Sequence, residues 1–416
     1  MTIKTFYKVY YNLLRYIFYS LPLLIILGNA AINFSLALVS LLYFVQIIYE
    51  KKIIFVNRPE FKVFVIFYIY LIFNSLISLD PETSLIRTIP FLKFFIFSLV
   101  FINLLEEKII DIKKLGLIWF ILLSILSLDI LFQSIVGHNI FGFKSNFANR
   151  NSSFFFDELV AGGFIFSLVF ITLKILFKKQ NNFFEQLLIL IFFIIIFLTG
   201  ERSSFVKYFL ILIISFYFYF KYQNYLKKIF LIFLIFLSSI FIYNSPIFKD
   251  RYLGTISYSP ERNLGIINNY LRSPYGSHAI SSFYILKENF LFGVGNKNFR
   301  IACKAQKEKV INYQKIIDPN ARVYLDGCST HPHQIYFELL SEHGIFGSML
   351  ILFLMYKLIS QKIKKHKLLP INLYALFFLI IAFLPILPSG SFFTTSYAML
   401  FWLNFVFFSI SDKKIK

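Results

Sequence analysis

The sequence predicts an all-α, polytopic transmembrane helix bundle with one large polar loop domain. Three observations predict it. First, 58% of the 416 residues are hydrophobic and 20% aromatic, at a mean hydropathy of +0.71, whereas soluble globular chains are about 45–50% apolar. Second, apolar runs of roughly 17–25 residues, each able to span a bilayer, recur along the chain. Third, basic residues gather in short clusters on alternate connections between those runs, which is the positive-inside pattern. Lys plus Arg number 42 against 21 Asp plus Glu, a net charge of +21. Divided among alternate connections, that excess is not the continuous basic face that nucleic acid binding uses.

Twelve runs make up the bundle, at about 11–27, 31–49, 61–79, 86–105, 115–136, 158–177, 184–199, 203–220, 227–243, 342–359, 369–387 and 391–410. They divide the chain into nine helices in 1–244, a loop domain in 245–333 and three helices in 334–416. Clusters such as Lys51-Lys52, Lys113-Lys114, Lys178-Lys179, Lys227-Lys228 and Lys364-Lys365 then fall on one side, the cytoplasmic one, together with both termini. Lys4 and Lys8 precede a full-length apolar run without a small-residue cleavage site, so no signal peptide is read. No 20–50-residue period indicates a repeat array. The short connection Lys178 to Asn182 after the sixth run is unlike the linker of a carrier built as six plus six helices.

The opposite side carries the polar chemistry. Gly200-Glu201-Arg202 puts an arginine there against the charge trend, either snorkelling and paired with Glu201 or fixed to grip an anion by bidentate hydrogen bonds. Lys93 lies inside an apolar run, a mark of a polar cavity. Asp157 and Glu158 at an expected helix start complement its dipole, or else Glu158 orders a site. In the loop, 279–290 reads as an amphipathic helix, followed by a Gly293-Val294-Gly295 turn into another helix. No strand–helix–strand context makes that turn a nucleotide fingerprint. Cys303 and Cys328 are the only two cysteines, and an oxidising exterior would let them close a bridge.

Residues 329–347 are the densest stretch. Ser329 and Thr330 are good N-caps and Pro332 suits a first turn, which predicts a helix N-terminus at His331 and His333. The dipole there would disfavour imidazolium and leave a neutral imidazole able to accept a proton. Glu338 and Glu342 share a helix face roughly opposite His333 and are expected to pair with loop arginines. His331, His333 and His343 lack carboxylate or thiolate partners at ligand spacing, so no metal or other cofactor is read.

His333-Gln334, nine residues, Gly344, two residues and Gly347 resemble the signature of the O-antigen ligase and polymerase superfamily. There a His followed by Asn, Ser or Gln precedes a Gly-x-x-Gly-like pair at this distance. Gly293-Val294-Gly295 through Phe299 is similar to its Gly-x-Gly-x-x-x-Phe element, Arg202-Ser203 to its Arg-Ser pair, and Arg150 with Phe155, Glu158 and Gly162 to an Arg…Phe-x-x-Glu-x-x-x-Gly element. The resemblance implies a GT-C-like fold with a periplasmic loop, in the bacterial inner membrane. It implies inverting transfer of a glycan from undecaprenyl diphosphate to a lipid A–core or growing polysaccharide acceptor, without a metal. His333 would be the general base and Arg202 a diphosphate ligand, with His331, Glu158, Arg150, His278 and Lys93 as possible acceptor or supporting groups. A second arginine is expected where this chain has His278, so Arg300 and Arg272 stand level for that role. Ligase and polymerase share these motifs. A polysaccharide flippase or other twelve-helix transporter, and a non-catalytic scaffold, are the rivals.

Overall fold

The computed structural model describes residues 3–53, 55–146, 150–177, 183–220, 264–365, 368–385 and 387–411. Among these every regular element is a helix. Among the described residues ten helices lie within 3–220: α1 (Ile3–Tyr19), α2 (Leu21–Ile26), α3 (Asn29–Glu50), α4 (Pro59–Leu76), α5 (Pro81–Thr88), α6 (Leu92–Glu106), α7 (Ile112–Val136), α8 (Ala161–Leu176), α9 (Phe183–Leu198) and α10 (Arg202–Phe220). The polar segment 264–334 contributes α11 (Gly265–Arg272), α12 (Pro274–Glu288) and α13 (Phe299–Ile317). Three more follow: α14 (Ile335–Lys365), α15 (Pro370–Ala382) and α16 (Thr395–Ser409).

Among the described residues, five helices are long and apolar enough to cross a membrane, and four shorter helices are apolar as well. Large apolar side chains such as Phe34, Ile48, Ile69, Leu128 and Ile135 stay exposed on them. Water penalises such a surface and hydrocarbon does not, so the chain is a helical polytopic membrane protein. The expected run at 227–243 lies outside the described residues; every other run overlaps a helix. Two runs are broken. Ser20 separates α1 from α2, and a 3-10 turn, Ile89–Phe91, separates α5 from α6, where Pro90 removes a helical N–H.

Aromatic layers hold the interior. Phe170 of α8 stacks on Tyr374 of α15 at 5.1 Å, and Trp402 of α16 packs edge-on to Phe95 of α6 and Phe64 of α4. Asn372 donates to the carbonyls of Phe407, Phe408 and Ile410, satisfying acceptors at the C-terminal end of α16 that hydrocarbon would leave orphaned.

The helix α14 is two helices joined at a break. Gly344 holds φ 64° and ψ −168°, a conformation an L side chain resists. The turn 289–295 fills the break. The N–H groups of Ile345 and Phe346 donate to the carbonyls of Phe290 and Leu291, and those of Val294 and Gly295 donate to Ser341 and Glu342. This backbone-to-backbone approach needs glycine on both sides: a Cβ on Gly293 would sit 2.5 Å from the Glu342 carbonyl carbon, and one on Gly344 would overlap Leu291. Asn74 of α4 clasps the turn through Phe292 O (2.8 Å) and Asn296 N (3.0 Å). The glycines of both motifs are therefore one structural device.

Candidate functional site

The expected helix start at Ser329 and Thr330 is corrected by the structure. α14 begins at Ile335, and its cap is Gln334, whose Oε1 accepts from the N–H groups of Tyr336 (2.7 Å) and Phe337 (3.0 Å). Ser329 instead donates to the His331 carbonyl, and Thr330 Oγ1 lies 3.1 Å from His331 Nδ1. His333 takes φ 54°, so the chain turns sharply just before the helix. The short polar residue after His333 thus has a physical task, and Asn or Ser at that place would also cap.

The turn gathers three imidazoles. The His331 and His333 ring centroids are 4.1 Å apart, those of His278 and His333 5.4 Å, and Tyr275 lies 6.2 Å from His333. His278 comes from α12, which Ser273 caps by accepting from Gly276 N. Arg300, in the first turn of α13, is close enough for its charge to bear on His331. Within this group His331 Nε2, His278 Nδ1 and Arg300 Nε are buried atoms with no hydrogen-bond partner among the described residues. Buried polar atoms are normally paired, so these three point to a ligand.

Burial governs protonation here. It pushes His331 down to about 3, with the charges of His333, Lys297, His278 and Arg300 adding to the effect. It lowers His333 too, reinforced by His278 and opposed by Glu338. Burial also lowers His278, against a backbone hydrogen bond at Gly327 and the charge of Asp326. The neutral imidazole expected from a helix dipole is therefore present, but desolvation is its cause.

The helix that Arg202 begins is tied to this cluster through one short segment. Ser203 Oγ and Lys207 Nζ both donate to the Pro388 carbonyl at 2.8 Å, and the next N–H, that of Ser389, donates to the His333 carbonyl at 2.9 Å. Three hydrogen bonds thus link the first two turns of α10 to His333.

Other expected residues sort differently. Arg272 is buried inside the loop domain: it donates to Gln314 Oε1 (3.0 Å) and the Val323 carbonyl (2.8 Å), pairs with Asp318 (3.5 Å) and lies over Tyr324. These contacts hold most of its guanidinium, whereas no such contact holds the Arg300 guanidinium among the described residues. Glu158 is exposed and precedes α8, which starts at Ala161. The carboxylate at that helix start is Glu201, which accepts from Gly162 N (2.7 Å), Gly163 N (3.0 Å) and Ser204 Oγ (2.8 Å). Arg150 bears on Glu201 by its charge, and Asn151 beside it holds the Leu198 and Thr199 carbonyls. Lys93 donates to Asn33 of α3 at 2.6 Å and lies over the Phe94 ring. His343 packs between Tyr70 and Phe393 rather than in the cluster.

Among the described residues Glu338 and Glu342 pair with no arginine. Glu338 pairs with Lys297 at 3.1 Å, and Glu342 accepts from Lys297 N (2.8 Å) and Phe299 N (3.3 Å). Lys297 and Glu201 are the residues that sequence reasoning missed. Both sat in quoted motifs; the signal was a charge within a glycine turn and a charge at an apolar helix end. Cys303 and Cys328 are disulfide-bonded, with Cα atoms 5.2 Å apart. They join the small core of Ile285, Val294, Phe299 and Ala302 that holds the loop domain together.

The O-antigen ligase family model matches residues 187–354, from α9 past the break in α14. The match includes Arg202, Arg300 and His333, and it supports the O-antigen ligase/polymerase superfamily, the one the histidine segment resembles. No curated protein matches this chain.

Proposed function

We propose, from the O-antigen ligase match over 187–354, that the chain is an inverting, metal-independent glycosyltransferase of the ligase or polymerase type. The donor would be a glycan on undecaprenyl diphosphate, its lipid tail among the helices. The acceptor would be lipid A–core or a growing polysaccharide. The site would face the periplasm of the inner membrane, above twelve spans with both termini cytoplasmic, and 245–333 would form the periplasmic domain between 1–244 and 334–416.

One observation carries the reading: a basic cluster around His333 with three buried, unpartnered nitrogen atoms. Arg202 and Arg300 would hold the diphosphate, and His331 and His278 offer further nitrogen atoms toward it. His333 accepts the proton of the acceptor hydroxyl. That oxygen attacks the anomeric carbon as the bond from that carbon to the diphosphate breaks, and the arginines stabilise the charge developing on the leaving group. Attack opposite the leaving group inverts the anomeric configuration.

The test is transfer by purified protein from a polyprenyl-diphosphate-linked glycan. His333→Ala should lose at least about 100-fold in kcat, and Arg202→Lys should be nearly as damaging as Arg202→Ala, because an ammonium lacks the bidentate fork. Activity should survive EDTA. Full activity of His333→Ala, or loss with EDTA restored by a divalent ion, would overturn the mechanism.

A further inference from the structure

A buried polar trio sits outside the chemistry just described. Lys297 (3% exposed), Glu338 (1%) and Ser391 (1%) are mutually hydrogen-bonded. Glu338 also accepts from Phe392 N at 2.8 Å, and Ser391 Oγ accepts from Phe393 N at 3.3 Å. A buried ion pair is weak evidence of stability, since desolvating both charges roughly cancels their attraction. Lys297 moreover holds a left-handed backbone at φ 64°, which costs about 1–3 kcal/mol and is kept only where the surroundings enforce it. Simple packing does not call for such an arrangement.

Its connections give it a task. Lys297 follows the turn that fills the break in α14 and donates its N–H to Glu342 beside that break, Glu338 lies in the first turn of α14, and Ser391 ends the segment 388–391. Within those four residues Pro388 accepts from Ser203 and Lys207, and Ser389 holds the His333 carbonyl. The trio therefore fixes a segment that links Ser203 and Lys207, on the helix that Arg202 begins, to the His333 backbone.

We propose that Lys297, Glu338 and Ser391 are positioning residues that set the placement of the His333 imidazole relative to the group held by Arg202. This rests on the transfer reading above. None of the three touches the reacting atoms; they act through Pro388 and Ser389. A misplacement of about 1 Å at a reacting centre costs on the order of 100-fold in rate, and losing the trio would free the segment by that scale.

The experiment is steady-state transfer with purified Glu338→Gln, Lys297→Met/Glu338→Gln and Ser391→Ala. Each should lose roughly 10- to 100-fold in kcat while KM for the donor stays within about twofold. Glu338→Gln should also move the acid limb of kcat/KM to lower pH, because the Glu338 charge supports protonation of His333 against His278. A purely structural role would lower the melting temperature without moving that limb. The double variant removes both members of the ion pair but leaves the buried Glu342 without the Lys297 charge, whereas Ser391→Ala removes only a hydroxyl and keeps both charges, so a folded variant remains if Glu338→Gln fails to fold. Wild-type kcat in a folded variant, or a loss confined to KM, overturns the proposal. If wild type itself transfers nothing, or His333→Ala is fully active, the transfer reading is what fails.

Discussion

At His333 the backbone and the imidazole impose separate demands that mutation can separate. The residue sits at φ 54°, where asparagine is among the few comfortable non-glycine residues. His333→Asn should therefore keep the melting temperature near wild type while abolishing transfer, whereas His333→Val should lose both; circular dichroism melts beside the transfer assay separate them. His331 makes a pH prediction. Its folded value lies near 3, against 6.5 unperturbed, so the unfolded chain binds a proton that the folded chain refuses. Stability from this group is full above about pH 6.5 and falls as pH drops toward 3, by on the order of 2 kcal/mol at pH 5. Melting temperatures from pH 7 to 5 should fall less steeply in His331→Gln. The identity of His333 was legible because its spacing to Gly344 and Gly347 is a chain-local pattern. Lys297, Glu201 and the capping role of Gln334 were not, since each depends on a partner that only folding brings near.

At the level of elements, the two arginines that sequence spacing could not rank are separated by their surroundings. Arg272, at the end of α11, ties that helix to α13 and to the turn at 318–323, and the charge of Arg300 bears on His331. Arg272→Met should destabilise the loop domain by about 3–5 kcal/mol, because Asp318 loses a buried cation. Arg300→Met should leave the melting temperature nearly unchanged and remove activity; limited proteolysis of the loop read beside turnover checks both. The disulfide closes a loop of 25 residues in sequence separation, worth roughly 3–4 kcal/mol in the chain-entropy model. Reduction should therefore increase cleavage between Cys303 and Cys328. Helix positions were largely readable because apolar length is local. The breaks in α1–α2, α5–α6 and α14 were not, since a continuous apolar run conceals them.

Across the whole molecule, charge asymmetry makes the topology testable. Alkaline phosphatase fusions at either terminus should be inactive, and a cysteine placed at the exposed Arg322 should react with a membrane-impermeant maleimide added from outside. Reaction only after permeabilisation from the cytoplasmic side would reverse the placement of His333. The break at Gly344 also constrains how the chain is assembled. Four backbone groups at that break are met by residues 290–295, some fifty positions earlier, between α12 and α13. In hydrocarbon each unmet group would cost several kcal/mol. Ile335–Lys365 is therefore expected to enter the bilayer as an unbroken rod and to bend at Gly344 when the turn 289–295 seats itself. That order makes the docking of the turn a late event. A Gly344→Ala chain, favouring the rod, would insert with normal topology and stop before that event.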